Sequence, residues 1–258
     1  MEGFSRTYEV DSPDKLFRMP ISNTSTISPS ATAFVESVLR LQPRLAAFDC
    51  DSTLWSCDAG EGFFSWEMKR GMVSDETIRW ARGRYANYLE GKVTEDEMVS
   101  DMTTMNVGLN EATIRKASRQ YYEENVAQHI FPEMQQLVRR LKEAGCEIWA
   151  VSSTSEWVIR EAMKDFDIPP DRILACQVEI ENGRITDRLV RVPSGPGKAV
   201  AIREVVRREP DAAFGNSRWD VEMLALSKTP FAVNPSPELK KIASERGWKV
   251  YFPDSVPR

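Results

Sequence analysis

The chain has 258 residues, 41% of them hydrophobic and 28% charged, with a net charge of −5 at pH 7. That length suits one large domain or a core domain carrying a smaller insertion, and that composition excludes disorder as the default. No Lys/Arg block exceeds two consecutive residues, which speaks against a nucleic-acid partner, because phosphate-backbone binding needs a clustered basic face.

Residues 1–30 are polar, rich in Ser and Thr, and read as an N-terminal extension without a periodic core face. They lack the apolar stretch of a signal peptide, and nowhere do 18 apolar residues follow one another. No membrane partner and a cytoplasmic location are therefore expected. A helix is predicted over Ala31 to Leu41 with Ser30 as its N-cap. Leu45-Ala-Ala-Phe-Asp49 is a short apolar run ending in acid, the pattern of a buried parallel strand that delivers its last residue to a sheet edge. From 57 to 131 the pattern is helical throughout. Ser74 starts one helix, Thr94 and Glu97 form a capping box for another, and Asn110 caps a third. Gly71, Gly91 and Gly108 separate them.

After Pro132 strands and helices alternate. A helix from Pro132 closes at Gly145, Cys146–Val151 is a strand, and a helix follows over about Ser155 to Phe166. A hairpin turns at Asn182-Gly183, and a helix runs from Lys198. Ala212–Gly215, Phe231–Val233 and Trp248–Phe252 are strands, with a helix over Pro237 to Arg246 before the last. The expected fold is α/β, a Rossmann-like doubly wound parallel sheet built from 31–56 and 132–258, with an inserted all-helical cap at 57–131. The four cysteines form no C-x-x-C pair and His129 is the single histidine, so a Cys/His zinc site is not expected and free thiols are.

Four polar clusters fall at or just past the predicted strand ends: Asp49-Cys-Asp51-Ser-Thr53, Ser152-Ser153-Thr, Lys198, and Gly215-Asn216-Ser-Arg-Trp-Asp220. Ligands of such sheets bind at the carboxyl ends of the strands, so all four converge on one rim. Asp49 and Asp51 repel unless a cation or a proton intervenes, and a hard ion with oxygen ligands, Mg²⁺, answers that need. A hydroxyl from Ser152 and a cation from Lys198 suit the oxygens of a phosphate dianion. A carboxylate can attack phosphorus, and phosphoryl transfer asks mainly for positioning and charge neutralisation. Taken singly, Ser152 also reads as a helix N-cap and Lys198 as a solvated lysine.

Phe48-Asp-Cys-Asp-Ser-Thr-Leu54 resembles the D-x-D-x-[TV] signature of the haloacid dehalogenase superfamily. Ser152, Lys198 and Asp220 match the order of its remaining motifs, and the helical insertion after the first motif is similar to the phosphoserine phosphatase-like branch. The resemblance implies a Mg²⁺-dependent phosphomonoesterase acting through a phosphoaspartate. Asp49 would be nucleophile and metal ligand. Asp51 would protonate the leaving alcohol, then activate water, and its backbone carbonyl would touch the metal; neighbouring negative charge would raise its pKa. Thr53 would brace the loop, Ser152, Ser153 and Lys198 would hold phosphoryl oxygens, and Asn216 and Asp220 would complete the metal site. Relatives often carry Asp where Asn216 stands, which leaves open which of Asn216 and Asp220 touches the metal.

Asp58 and Glu61 follow the first motif and read either as acids in the first turn of a helix or as carboxylates facing a substrate cation. In the branch it resembles, an acid near this position reads the substrate's amino group. The expected partner is thus a small phosphomonoester with a cationic nitrogen: phosphoserine first, phosphocholine or phosphoethanolamine next. Phosphoserine would need a cap arginine for its carboxylate, for which Arg79, Arg82 and Arg84 are available. Trp55, Phe63, Phe64, Trp66, Trp80, Tyr85 and Tyr88 read as core before they read as a cation cage. The rivals are phosphotransfer to an acceptor other than water and a phospho-ligand-binding pseudoenzyme, against which the intact Asp49, Asp51 and Lys198 stand.

Overall fold

A computed structural model describes residues 27–256, so most of the 1–30 extension lies outside the described residues. Its described end is helix start. Ser28 caps α1 (Pro29–Leu39), its Oγ accepting from the Ala31 amide at 3.1 Å. The cap is therefore Ser28 and not Ser30, because Pro29 has no N–H to lose and presets the first helical φ.

Seven strands form one sheet in the order β4-β3-β2-β1-β5-β6-β7. They are β1 (Leu45–Phe48), β2 (Glu147–Ser155), β3 (Ile173–Glu181), β4 (Arg184–Arg191), β5 (Ala212–Gly215), β6 (Thr229–Val233) and β7 (Lys249–Tyr251). All neighbours pair in parallel except β3 and β4, the hairpin turned at Asn182 and Gly183, both at positive φ. β1 lies at the centre between β2 and β5 and is buried on both faces, hence its unbroken apolar sequence. Ala46 and Phe48 pack with Val35, Val38, Leu137 and Val158 on one side; Leu45 and Ala47 pack with Ala199, Met223, Leu224 and Leu239 on the other.

Between β1 and β2 stand α2 (Ala59–Lys69), α3 (Asp75–Leu89), α4 (Glu95–Thr104) and α5 (Glu111–Asn125). Ser74, Thr94 with Glu97, and Asn110 cap the last three as their spacing predicts. α6 (Pro132–Glu143), α7 (Glu156–Met163), α8 (Pro196–Ala201, continued by a π-type turn), α9 (Val221–Leu226) and α10 (Pro237–Arg246) flank the sheet. Phe64, Ala81, Val93, Met98 and Met105 form a small separate core among α2, α3 and α4. The two connections to this helical segment lie side by side: the Leu54 carbonyl accepts from the Phe131 amide at 3.0 Å, and the His129 carbonyl from the Ser56 amide at 2.9 Å. Trp55 and Ile130 bridge antiparallel between them. Among the described residues no helix is long and apolar enough to cross a membrane.

Glu67 on α2 is fully buried, with the buried side chain of Asn106 as its polar neighbour. Burial holds the Glu67 carboxyl well above its ordinary range, so the folded state keeps a proton that the unfolded chain releases. That contribution is fully present below the ordinary glutamate range and is lost as pH rises toward the folded value. Glu67→Gln is expected to remove the slope. Urea unfolding of the two proteins should show the variant gaining about 1–3 kcal/mol on wild type between pH 5 and pH 8. An unchanged difference across that range would show that Glu67 titrates normally.

Candidate active site

The chain turns sharply as it leaves β1. The Asp49 amide donates to the Phe214 carbonyl of β5 at 2.9 Å, and the Leu54 amide to the Cys50 carbonyl at 2.8 Å. Ser52 takes a positive φ of 56°, its carbonyl held by Asn234 Nδ2 at 3.1 Å. This turn puts the carboxylates of Asp49 and Asp51 on one cavity, while Cys50 between them is buried packing.

Each oxygen of Asp49 has a donor. Thr53 Oγ1 donates to Oδ2 at 2.7 Å and Lys198 Nζ to Oδ1 at 2.6 Å. Lys198, inside the first turn of α8, also donates to Asp220 Oδ1 at 2.6 Å and is buried. Burial opposes its ammonium, yet Asp220 and Asp49 together raise its pKa above the lysine range. Burial pushes Asp49 up to about 6, with help from the charge of Asp220 and opposition from Lys198. Asp51 reaches about 7. The main cause is burial and the next is Asp58, so the acid that raises it most comes from the start of α2 rather than from Asp49. Asp51 Oδ1 accepts from Trp55 Nε1 at 2.8 Å and the Ala59 amide at 2.7 Å, and Oδ2 accepts from Thr154 Oγ1 at 2.7 Å. A carboxyl group poised near neutrality beside a nucleophilic carboxylate is suited to give and take a proton.

Asp220 is wholly buried and its second oxygen is taken by the Asn216 and Ser217 amides, both at 2.9 Å. Gly215 makes room for it, since a Cβ there would stand 2.5 Å from Asp220 Cβ. Asn216, not Asp220, lines the cavity. Among the described residues no three Asp, Glu, His or Cys side chains gather as a metal cage. A Mg²⁺ ion fits such a sparse set, because it binds through one or two carboxylates and keeps several waters. Asp49, the Asn216 amide oxygen and the Asp51 carbonyl are the oxygens that would hold it.

β2 runs to Ser155 instead of ending at Val151, because its pairing with β3 continues to Ser155 opposite Cys176. Ser152 is thus a strand residue and not a helix N-cap; it is buried, and its Oγ accepts from the Thr154 amide at 3.2 Å. Ser153 and Thr154 reach the cavity wall, and Ser152 does not. The Thr154 contact to Asp51 had no signal beyond its place in the Ser-Ser-Thr run. Gly60 lets α2 approach that contact: a Cβ there would meet Thr154 Oγ1 at 2.5 Å.

The cavity holds about 220 Å³ beneath α2, α3 and α4. Asp58 is both the N-cap of α2, accepting from the Glu61 amide at 2.8 Å, and a residue of the cavity wall. Burial by the surrounding protein raises its pKa. Glu61 lines the same wall, with Phe63, Phe64, Tyr85 and Tyr88. Glu95, which the sequence left unremarked in the first turn of α4, joins them. Arg79, Arg82 and Arg84 do not line the cavity. Arg84 pairs with Asp101 at 2.5 Å, and Arg82 borders a separate recess between α2 and α3.

The haloacid dehalogenase-like hydrolase family matches residues 46–225. A histidinol-phosphatase of Neisseria meningitidis serogroup C (strain 8013) is 30% identical over 217 residues, 80% of this chain and 97% of that protein. Phosphoserine phosphatase SerB1 of Mycobacterium tuberculosis (strain ATCC 25618 / H37Rv) is 29% identical over 149 residues, 55% of this chain but 48% of that protein. A protein of unknown function from Bordetella pertussis Tohama I superposes with a TM-score of 0.71 at 24% identity, covering 81% of this chain and 97% of the other. A substrate-bound phosphoserine phosphatase superposes at 0.56 and 15% identity, covering 81% and 92%; likeness at that level speaks for the fold alone.

Proposed function

The chain belongs to the haloacid dehalogenase-like hydrolases, and from that premise we propose that it is a Mg²⁺-dependent phosphatase of a small phosphomonoester whose alcohol carries a cationic nitrogen and no carboxylate. The observation that carries the substrate class is the charge of the cavity wall. Asp58 and Glu61 line it from the cap side. Among the described residues Lys198 is the single cation lining it, and Asp49 and Asp220 already engage that cation. An ammonium group finds partners there; a substrate carboxylate finds none and meets like charge. Phosphoserine, the first expectation from sequence, therefore yields to amino-alcohol esters such as phosphocholine or histidinol phosphate.

In the chemistry proposed, an Asp49 oxygen bonds to phosphorus as the ester P–O bond breaks, and Asp51 gives its proton to the departing alkoxide. Asp51 then takes a proton from the water that attacks the phosphoaspartate, which frees inorganic phosphate and restores Asp49. Lys198 would balance charge on Asp49 and on the phosphoryl oxygens, and Ser153, on the cavity wall, would donate to them. Bound Mg²⁺ would supply further charge neutralisation and orientation.

The test is kcat/KM for histidinol phosphate, phosphocholine, phosphoserine and glycerol phosphate, with Mg²⁺ and with excess chelator. The two carboxylate-free cationic esters should exceed the other two by at least about tenfold, the scale of one charge contact in a closed pocket. Chelation should suppress all four. Phosphoserine equal to or above the cationic esters would overturn the substrate class, and undiminished activity in chelator would overturn the metal requirement.

A further inference from the structure

The cap wall holds a pair for which the proposed chemistry has no use. Tyr88, in the last turn of α3, donates its hydroxyl to Oε2 of Glu95, the first residue of α4. Tyr85, one turn earlier, lines the same wall, and the two tyrosine rings lie 6.1 Å apart, tilted by 37°. Glu95 is half-buried beside Met98 and Val99, which are buried and line the same cavity. Its two neighbours Asp96 and Glu97 are exposed, and Glu97 is occupied in capping at Thr94. Burial raises the Glu95 carboxyl and the charge of Asp58 adds to that, while the Tyr88 hydroxyl and, across the cavity, Lys198 oppose it. A half-buried carboxylate whose partner is a neutral phenol has no counter-ion of its own and is stabilised when a cation arrives from elsewhere.

Building on the phosphatase reading above, we propose that Glu95, oriented by Tyr88, is a second cation subsite separate from Asp58 and Glu61, and that the substrate carries two basic nitrogen groups, the second planar. Aromatic surface from Tyr88 and the adjoining Tyr85, on the wall that carries Glu95, suits a flat delocalised cation, an imidazolium or guanidinium, better than a compact ammonium. Asp58 and Glu61, nearer in sequence to the nucleophile turn, are left for the first nitrogen.

Two esters separate the subsites: histidinol phosphate, with an amine and an imidazole, and phosphoethanolamine, with an amine alone. Glu95→Gln should lower kcat/KM for histidinol phosphate about 10–100-fold, mostly through KM, and change phosphoethanolamine less than about threefold. Tyr88→Phe, which removes one hydroxyl, should move the same way by a smaller factor. Calorimetry with histidinol, which lacks the phosphate, should show binding to wild type weakened by Glu95→Gln. Equal losses on both esters would make Tyr88–Glu95 a staple between α3 and α4, and no loss on either would make it a bystander; each overturns the subsite. If wild type cleaves an aryl phosphate but neither ester, the substrate class fails while the phosphatase reading stands, and the histidinol titration alone decides the subsite.

Discussion

Asp49→Asn is expected to fold and to lose on the order of 10⁴-fold or more in kcat, as when a residue that acts chemically within a coupled set is removed. The amide has the shape to accept from Thr53, which holds Asp49 Oδ2 at 2.7 Å, but its oxygen cannot form the phosphoryl ester bond. Lys198 keeps Asp220 as its counter-ion. Burial already works against the Asp49 carboxylate, so a neutral residue there should leave the thermal midpoint within a few degrees of wild type or above it. Acid quenching of wild type during turnover should trap an acyl phosphate that the variant never shows. A folded Asp49→Asn protein retaining even a few per cent of wild-type turnover would remove Asp49 as nucleophile.

Lys198→Met should cost both stability and catalysis, because the ammonium is the shared counter-ion of two buried carboxylates, each 2.6 Å away. Removing one partner of a buried ion pair typically costs about 3–5 kcal/mol, roughly 10 °C in the thermal midpoint for a chain of this size. The loss should depend on pH in a defined sense. Without Lys198 only the Thr53 hydroxyl offsets the burial and the Asp220 charge that raise Asp49, so its folded carboxyl moves further above its unfolded value. A raised acid contributes stability below its unfolded pKa and loses it as pH climbs toward the folded one. The deficit of Lys198→Met should therefore be smallest near pH 4 and grow through pH 7. A deficit that is flat with pH would mean that Lys198 stabilises through packing alone.

Local rules carried the sequence reading furthest where a residue's role depends on its immediate neighbours. Thr94 and Glu97 satisfy each other three residues apart, and both halves of that box form. Asn182-Gly183 permits the two positive φ values that a tight hairpin requires. Asp49, Asp51, Lys198 and Asn216 do reach one cavity. What stayed hidden depends on pairing across the sheet or on helix against helix. Whether Ser152 or Ser153 faces the rim is decided by how far β2 follows β3, and a shift of one residue exchanges the two faces. Whether Asp220 is free for a metal is decided by the Asn216 and Ser217 amides, which are invisible in a string of side chains. Glu95 looks like any acid in a first helical turn until α3 brings Tyr88 to it. Glu67 breaks the apolar pattern of α2 without a partner anywhere near it in sequence.

The side-by-side connections at Leu54–Ser56 and His129–Phe131 bear on how such a molecule can diversify. The chain departs from the sheet and returns to it at one spot, stitched across by the backbone bonds of Leu54 with Phe131 and Ser56 with His129. Because the ends of the excursion are already held together, its length adds only logarithmically to the closure entropy of the sheet. A graft at this junction could replace the carboxylates and tyrosines over the cavity wholesale, while Asp49, Lys198 and Asp220 keep the contacts they make among β1, α8 and the end of β5. In the chemistry proposed, substrate choice and bond breaking thus rest on parts of the chain that can change independently.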